Sequence, residues 1–293
     1  MKNQNKISII KENNLTKLNL KNDIIFKAFF ARKGNEEFLV DFLKALLKID
    51  INKIVIKEEV GLQQLSTQEK GGRLDIQAIL NDGVIVNIEL QIQNERNIRE
   101  RTTIYSSKVL AREVSRGTKY EDVKQVIMVN ILDYELLGFE EYISETAIVL
   151  DKHREYEVLK GIKWYFVELP KFRKAHPDMS EKINQWLAFI DDYDKEAIKL
   201  AEKNNKTLER ARFEMNYLTG EEAVRRLAEL REKWDMDRNS DMYYAKEEGK
   251  EEATKEIAES LIKENIDIET IIKITKLSKE EIEKIKEKNK INS

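Results

Sequence analysis

The chain has 293 residues, of which 41% are hydrophobic and 37% are charged, and its formal net charge is -3. These values exclude a disordered chain poor in apolar residues and a polycation. There are no cysteines and two histidines, which excludes disulfides and thiolate metal sites and argues against a histidine-based zinc site or a Ser-His-Asp triad. No apolar run reaches about 18 residues, so no membrane span is predicted. The first residues lack an apolar secretion signal, and a cytoplasmic protein is expected.

Helical patterns precede the first predicted strand. Residues 1–20 are rich in Asn and Lys and predict a loose lead-in. The segment "NDIIFKAFF" predicts a short buried helix capped by Asn22 or Asp23. After Gly34, "NEEFLVDFLKALLK" repeats its apolar residues at helical spacing and predicts an amphipathic helix. The alternating segment "NKIVIKEEV" then predicts a strand.

The next segment, "RLDIQAILNDGVIVNIELQIQ" at residues 73–93, alternates apolar and polar residues. This period of two predicts a β-hairpin with one dry and one polar face. Two turns fit "NDG". A two-residue turn would pair polar with apolar residues along the ladder, whereas a three-residue loop pairs Leu80 with Val84 and puts Gly83 in the left-handed position of a bulged type I turn. The hydrophobic pattern selects the second register, which sets Asp75 opposite Glu89.

The remainder of the chain is first mixed and then helical. Residues 94 to about 116 have a helical period, and "VKQVIMVNIL", "ETAIVLDK" and "KWYFVELP" predict strands, the first of them interior. The first 170 residues therefore predict a mixed α/β layered fold. After Pro177 the pattern is helical: an extension at 176–218, a long charged helix at 219–258 and a small helical module at 259–293, with caps at Asp267 and Ser278 and a capping box between Ser278 and Glu281.

Two carboxylates face each other in the selected register. Directly opposite like charges destabilise a sheet, and a divalent cation would remove the conflict. Mg²⁺ is commonly held by one or two carboxylates and can activate water for phosphodiester hydrolysis. The simpler interpretation is a polar sheet face whose acids are neutralised by Arg73 or by a cation from a helix.

Four blocks carry a family resemblance: "NDIIFKAFF", the hairpin, "IRERTTIYSSKVLAREVSRGTKY" and "VKQVIMVNIL". In this order and spacing, over about residues 20–170, they resemble the recombination-promoting nuclease/putative transposase family of the PD-(D/E)xK nuclease superfamily. The resemblance implies a restriction-endonuclease-like core over residues 21–175, a mixed central sheet flanked by helices, followed by an all-α C-terminal region. It implies Mg²⁺-dependent (or Mn²⁺-dependent) endonucleolytic cleavage of DNA.

The resemblance also assigns site residues. Asp75 and Glu89 match the metal ligands, while Gln91 stands where the superfamily usually has Lys. A glutamine can orient a water molecule but carries no positive charge. Lys27 of the first helix is a candidate for the missing cation, against an ordinary surface lysine, and Glu37 is the best-placed acid to complete the metal shell, against a solvated side chain.

Arg101 and Tyr105 lie four residues apart and match an Arg and a Tyr that recur after the hairpin in the family. They would contact phosphate or orient Gln91. The alternative is a salt bridge from helix to sheet together with a core tyrosine. Residues 92–120 hold seven basic and three acidic residues, which suits phosphates or a solvated helix face. Arg73 extends the polar face that would line a DNA groove.

The leading hypothesis is thus a Mg²⁺-dependent DNA endonuclease acting in recombination or on mobile DNA. The rival is a catalytically weak or inactive nuclease fold that binds DNA or partners through its helical tail, and the replacement of Lys by Gln91 favours it. Transposition proper has no feature in its support. The last segment has helix-turn-helix-like spacing, but its recognition-helix candidate, "SKEEIEKIKEK", has as many acids as bases at its start. An interaction or dimerisation module, with a homo-oligomer formed through the C-terminal helices, is therefore preferred over a DNA reader.

Overall fold

The computed structural model describes residues 18–57, 76–81, 83–94, 96–113, 119 and 122–291. By its contacts the chain divides into two compact units, residues 1–231 and 232–293, and each is considered by itself. Among the described residues, no helix is both long enough and apolar enough to cross a membrane.

The first unit combines helices and strands. Its helices are α1 (Asp23–Phe30), α2 (Glu36–Leu47), α3 (Ile98–Glu113), α4 (Leu169–Ala175), α5 (Lys182–Asp191), α6 (Lys195–Asn204), α7 (Lys206–Gly220) and the beginning of α8 (Glu222–Lys263). Its strands are β1 (Ile54–Ile56), β2 (Ile76–Leu80), β3 (Val84–Gln91), β4 (Val126–Leu132), β5 (Ile143–Glu145), β6 (Ile148–Leu150), β7 (His153–Leu159) and β8 (Ile162–Glu168).

Six of these strands form one mixed sheet in the order β1-β2-β3-β4-β8-β5. Strands β3, β4 and β8 run parallel to one another, and β1, β2 and β5 join as antiparallel neighbours. The predicted interior strand is β4, which has a neighbour on both sides and whose residues are all buried. The α/β fold class predicted from the sequence is confirmed.

The hairpin register is the one selected by the hydrophobic pattern, because Ile76 pairs with Ile88 and Leu80 with Val84. The turn differs from the predicted bulged type I turn. Gly83 has the expected positive φ of 134°, but Asn81 also has a positive φ of 49°. Its side chain explains this: Asn81 Oδ1 accepts from the Asn52 backbone N–H at 2.8 Å, and its Nδ2 donates to the Asp50 carbonyl at 2.8 Å. Asparagine tolerates the left-handed region, and these bonds hold the turn against the segment before β1.

One face of the sheet carries the main hydrophobic core. Apolar residues of β2, β3, β4 and β8 meet an aromatic cluster from α1, α2 and α5, in which Phe30 lies 6.0 Å from both Phe42 and Trp186 between ring centroids. The cap of α1 is Asn22, whose side chain accepts from the backbone N–H groups of Ile24 and Ile25. The predicted helices at "NDIIFKAFF" and "NEEFLVDFLKALLK" are confirmed as α1 and α2.

The other face of the sheet is also covered, by α3. The predicted polar face is therefore not solvated along β3, where Asn87, Glu89 and Gln91 are buried. Helix α3 begins at Ile98, four residues later than predicted, since Arg96 has a positive φ of 63° and its N–H is held by the Asn94 side chain at 2.9 Å. Strand β7, which was not among the predicted strands, pairs with β6 in a separate exposed ladder.

The second unit comprises the end of α8 with α9 (Ile268–Thr275) and α10 (Lys279–Ile291). A small core of Ala258, Ile271 and Ile282 joins the three helices. Asp267 caps α9 by accepting from the Thr270 N–H at 2.9 Å. The predicted capping box is present, since the Glu281 carboxylate accepts from the Ser278 N–H at 2.8 Å and the Ser278 hydroxyl accepts from the Glu281 N–H at 3.3 Å.

Candidate functional site

Glu89 and Gln91 lie near the carboxyl end of β3, on the sheet face that α3 covers. Their parallel neighbours on β4 are Asn130 and Leu132. Both side chains are almost fully buried, with 1% of Glu89 and 6% of Gln91 exposed. A buried ionised carboxylate is stable only with strong partners, so the donors around Glu89 define the site.

Two side-chain donors converge on one oxygen of Glu89. The Gln91 Nε2 donates to Glu89 Oε1 at 2.8 Å, and the Arg101 Nη2 donates to the same atom at 2.6 Å. The second contact is charge-assisted, and the Arg101 side chain is only 14% exposed. The cation beside Glu89 therefore comes from helix α3 rather than from the strand.

Tyr134 completes this group of contacts. Its hydroxyl donates to Gln91 Oε1 at 2.9 Å, and the preceding Asp133 N–H donates to the Gln91 carbonyl at 2.9 Å. Tyr134 was not among the residues predicted for the site. The available signal was its place two residues beyond the interior strand β4, where a residue reaches the end of a parallel neighbour.

Arg101 and Tyr105 share one side of α3, as their spacing predicts. The Arg101 guanidinium lies over the Tyr105 ring, 5.5 Å from its centroid, and Tyr105 is 38% exposed. The salt bridge from helix to sheet is present, as the simpler interpretation required, but Tyr105 is not a core residue. Because the Tyr105 ring is partly exposed, the Arg101–Glu89 ion pair beside it lies near the protein surface.

Helix α3 is seated on the sheet by a layer of buried hydrogen bonds. Thr102 Oγ1 donates to Asn130 Oδ1 at 3.1 Å, and the Trp164 indole N–H donates to Ser106 Oγ at 3.2 Å. These contacts fix the position of the helix that carries Arg101. Its exposed residues include three cations: Arg99, Lys108 and Arg112.

Lys27 and Glu37, the candidates from the first two helices, lie in different surroundings. Lys27 is on α1, which packs against β3, and only 2% of it is exposed, so it is not an ordinary surface lysine. Glu37 is on α2 and pairs with Arg210 of α7, whose Nε donates to Glu37 Oε1 at 3.2 Å and whose Nη2 donates to Oε2. Both Glu37 oxygens thus face Arg210. The role of Glu37 as a metal ligand stays a prediction.

Asp75 and Arg73 lie outside the described residues, so their predicted places beside Glu89 stay predictions. Within the described parts of the chain, no group of three or more His, Cys, Asp or Glu side chains is arranged to hold a metal ion. The oxygens of Glu89 and Gln91 are of the kind that Mg²⁺ prefers. They fit that ion in chemistry, and a further carboxylate would be needed to bind it.

A second buried carboxylate, Glu168, lies at the end of β8. Its Oε1 accepts from the backbone N–H groups of Leu136 and of Leu137, the latter at 3.1 Å, and its Oε2 accepts from Lys171 Nζ at 2.7 Å. Glu168 is fully buried and Lys171 is 5% exposed. Glu168 thus anchors the segment after β4 that begins with Asp133 and Tyr134.

The same segment is held by an ion network. Arg173 donates to Asp191 with its Nε, at 2.9 Å to Oδ2, and with its Nη2 to Asp133. Lys21 Nζ lies 3.4 Å from Asp191 Oδ1 and 3.5 Å from Asp133 Oδ2. The Asp191 and Asp133 carboxylates raise the pKa of Arg173, mainly through the hydrogen bond to Asp191. The end of β4 is therefore fixed on both sides of the Tyr134 backbone.

Comparison with known proteins gives one family. The model of the PD-(D/E)XK nuclease family transposase domain matches residues 20–245 of the chain, which is more than half of its length. A search of curated proteins and a search of solved structures each find no significant match.

Proposed function

Because the chain belongs to the PD-(D/E)XK nuclease family of transposases, we propose that it is a Mg²⁺-dependent endonuclease that hydrolyses phosphodiester bonds in DNA, in recombination or on mobile DNA. The observation that carries this proposal is the buried Glu89 at the end of the second hairpin strand, with a cation 2.6 Å away. Costly buried charges of this kind concentrate at functional sites.

Asp75 and Glu89 are the proposed metal ligands. Ile76 pairs with Ile88, and an antiparallel ladder continued by one residue would set Asp75 against Glu89, which supports this proposal. Gln91 would hold Glu89 and help to place the attacking water. The bound Mg²⁺ would supply a Lewis acid for the phosphate and lower the pKa of the water.

Arg101 is the proposed replacement for the lysine that Gln91 displaces. Its guanidinium already lies against Glu89, and it keeps its charge at any pH at which proteins function. Arg101 would balance the two acids in the resting site and meet the scissile phosphate when DNA is bound. Lys27 is a second cation proposed to act from the α1 side, and its burial supports a role other than solvation.

DNA would bind along the outer side of α3. Lys108 and Arg112 are exposed on the helix, and Arg99 is exposed at its beginning, where it donates to the Leu136 carbonyl at 3.2 Å. Tyr105 and Arg73 would extend the contact surface toward the site. These cations would engage the phosphate backbone, so binding should weaken steeply as salt increases. No contact of this kind would read the base sequence.

The test is cleavage of supercoiled plasmid by the purified chain with Mg²⁺. We expect nicking or linearisation by the wild type, and its loss in Asp75→Asn and Glu89→Gln, which keep side-chain size. The matched control is Asp151→Asn, an acid whose side chain is 93% exposed in the turn between β6 and β7. Equal cleavage by Asp75→Asn and the wild type would remove the metal-site assignment, and activity in both variants would point to a contaminating nuclease.

A catalytically inactive, DNA-binding nuclease fold is the second candidate, and one observation favours it. Both Gln91 and Arg101 donate to Glu89 Oε1, an arrangement that neutralises the acid without a metal. Calorimetric titration with Mn²⁺ distinguishes the two functions. If the chain is a nuclease, Mn²⁺ titration of the wild type should release or absorb heat, and this signal should disappear in Asp75→Asn. If the fold is inactive, no signal should depend on Asp75, and salt-sensitive binding of DNA should remain.

The second unit is proposed to recruit partners or a second copy of the chain. Its residues 232–293 have their own small core, and α10 carries four glutamates beside its five lysines, which suits protein contacts better than DNA. Light scattering of the full chain against a chain ending at residue 231 tests this. The same number of protomers in both chains would exclude self-association through this unit.

A further inference from the structure

We infer that Tyr134 is a positioning residue of the candidate site, which fixes the side-chain amide of Gln91 and through it the carboxylate of Glu89. The inference rests on the proposed nuclease function. Tyr134 lies outside the hairpin and α3, in the segment that follows β4, so a third part of the chain contributes to the site.

The direction of each hydrogen bond is set by chemistry. A carboxylate accepts and does not donate, so the Gln91 atom that faces Glu89 at 2.8 Å must be its NH₂ group. The carbonyl oxygen of the amide then faces Tyr134 at 2.9 Å, and the phenolic O–H must donate to it. The hydrogen bonds thus form a chain with one direction: Tyr134 donates to Gln91, and Gln91 donates to Glu89.

Tyr134 is itself held in place. Its ring packs with Ile98, Leu132 and Phe166 in a small cluster under α3. The backbone two and three residues later is anchored by Glu168, whose partner Lys171 is buried with it. A rigid ring on an anchored segment presents its hydroxyl at a fixed point, whereas a surface tyrosine would not.

The replacement of Lys by Gln91 explains why such a residue is needed. A lysine ammonium has no preferred rotation about its last bond, but an amide has a donor end and an acceptor end. With one N–H given to Glu89 and one lone pair given to Tyr134, Gln91 keeps one N–H and one lone pair. Two anchoring contacts set the plane of the amide and so the direction in which these remaining groups meet a water molecule.

The experiment compares Tyr134→Phe, which removes only the hydroxyl, with Tyr142→Phe as the matched control. Tyr142 lies in the same segment, and its hydroxyl donates to Asn184 Oδ1 at 2.8 Å, away from β3. Cleavage is measured with the full chain in excess over a labelled duplex, so that slow variants stay measurable. Tyr134→Phe should lower the cleavage rate constant about threefold to tenfold at unchanged affinity for DNA, the effect of one lost hydrogen bond. Tyr142→Phe should leave both unchanged.

A double-mutant cycle with Gln91→Ala separates positioning from simple structural support. If Tyr134 acts through Gln91, the double variant cleaves no more slowly than Gln91→Ala alone. Independent, multiplying losses would overturn the inference, as would a wild-type rate in Tyr134→Phe or a loss confined to DNA affinity. In each of those cases Asp75→Asn remains inactive and the proposed function stands. A wild-type chain that never cleaves overturns the proposed function and this inference together.

Discussion

Two buried carboxylates on one sheet, Glu89 and Glu168, are held in different ways. Glu89 has 1% of its surface exposed and receives donors from two side chains, those of Gln91 and Arg101. Glu168 is fully buried and receives two backbone N–H groups on one oxygen and Lys171 on the other. Backbone donors cannot leave without moving the chain, whereas side chains can change rotamer.

The difference separates an anchor from a site that can be rearranged. Glu168 is held on one oxygen by two backbone N–H groups and on the other by the buried Lys171, so it stabilises the segment after β4. Glu89 is held by an amide and by an Arg that is partly open to solvent beside Tyr105. An incoming cation can compete for Glu89, and an incoming phosphate can compete for Arg101, without any movement of the backbone.

The largest expected effect is on stability in Glu168→Ala. The change leaves the buried Lys171 ammonium and two backbone N–H groups without this acceptor, so unfolding should become easier by about 3–5 kcal/mol. Glu89→Ala should cost about 1–2 kcal/mol, because Arg101 can turn toward water. Urea unfolding checks both variants, and Glu168→Leu with Lys171→Met is the control that should recover part of the loss. Equal losses in the two alanine variants would abolish the distinction.

The next effect concerns the cation beside Glu89. Arg101→Ala should reduce Mg²⁺-dependent cleavage about hundredfold, the order expected when one aimed charge is lost from a site. Adding Gln91→Lys to this variant returns a positive charge to the strand and should restore part of the rate. Cleavage kinetics of the two variants and of Gln91→Lys alone give the result. A double variant no faster than Arg101→Ala would show that Arg101 does more than supply charge.

A third carboxylate, Asp41, is also held by side-chain donors, but it lies outside the proposed site. It shows how much such donors contribute to stability where no chemistry is proposed. Burial opposes its ionisation, but hydrogen bonds from Lys182, Trp186 and Asn205 prevail and lower its pKa below 3.8. Its ionised form therefore contributes stability that is present above pH 3.8 and is lost as the pH falls through the lowered folded-state pKa. Asp41→Asn should cost about 1–2 kcal/mol at pH 7.

Urea midpoints of Asp41→Asn and the wild type at pH 7 and pH 2.5 give the measurement. The difference between the two proteins should shrink at the lower pH. A constant difference would mean that packing around Trp186, which is fully buried, and not the charge, sets the cost.

The smallest effect is expected for Glu37→Ala. The Glu37 side chain is 49% exposed and its partner Arg210 is 53% exposed, so solvent screens the pair and its contribution to stability should be small. Thermal unfolding measures the stability, and plasmid cleavage tests the predicted role of Glu37 in the metal shell. A Mg²⁺-dependent loss of cleavage would support that role, and a wild-type rate would remove it.

Local features were predictable from the sequence. The hairpin register follows from the alternation of apolar residues, and the caps at Asn22, Asp267 and Ser278 follow from hydrogen bonds within a few residues. Long-range features were not. The burial of the polar face of β3 depends on α3 docking across it, and the Tyr134 contact depends on β4 lying beside β3. In a single sequence, neither relation leaves a periodic pattern.

The order of strands in the sheet has a kinetic consequence. β4 is central, and its Asn130 pairs with Glu89 on one side and Phe166 on the other, residues that are distant along the chain. Pairing β2 with β3 closes only a short loop, but joining β3 to β4 and β8 requires the closure of long loops, which is slow. The environment of Glu89 needs β3, α3 and the segment after β4 together, so a chain that has formed only its hairpin lacks the site. The site is therefore assembled only after β4 has been inserted between β3 and β8.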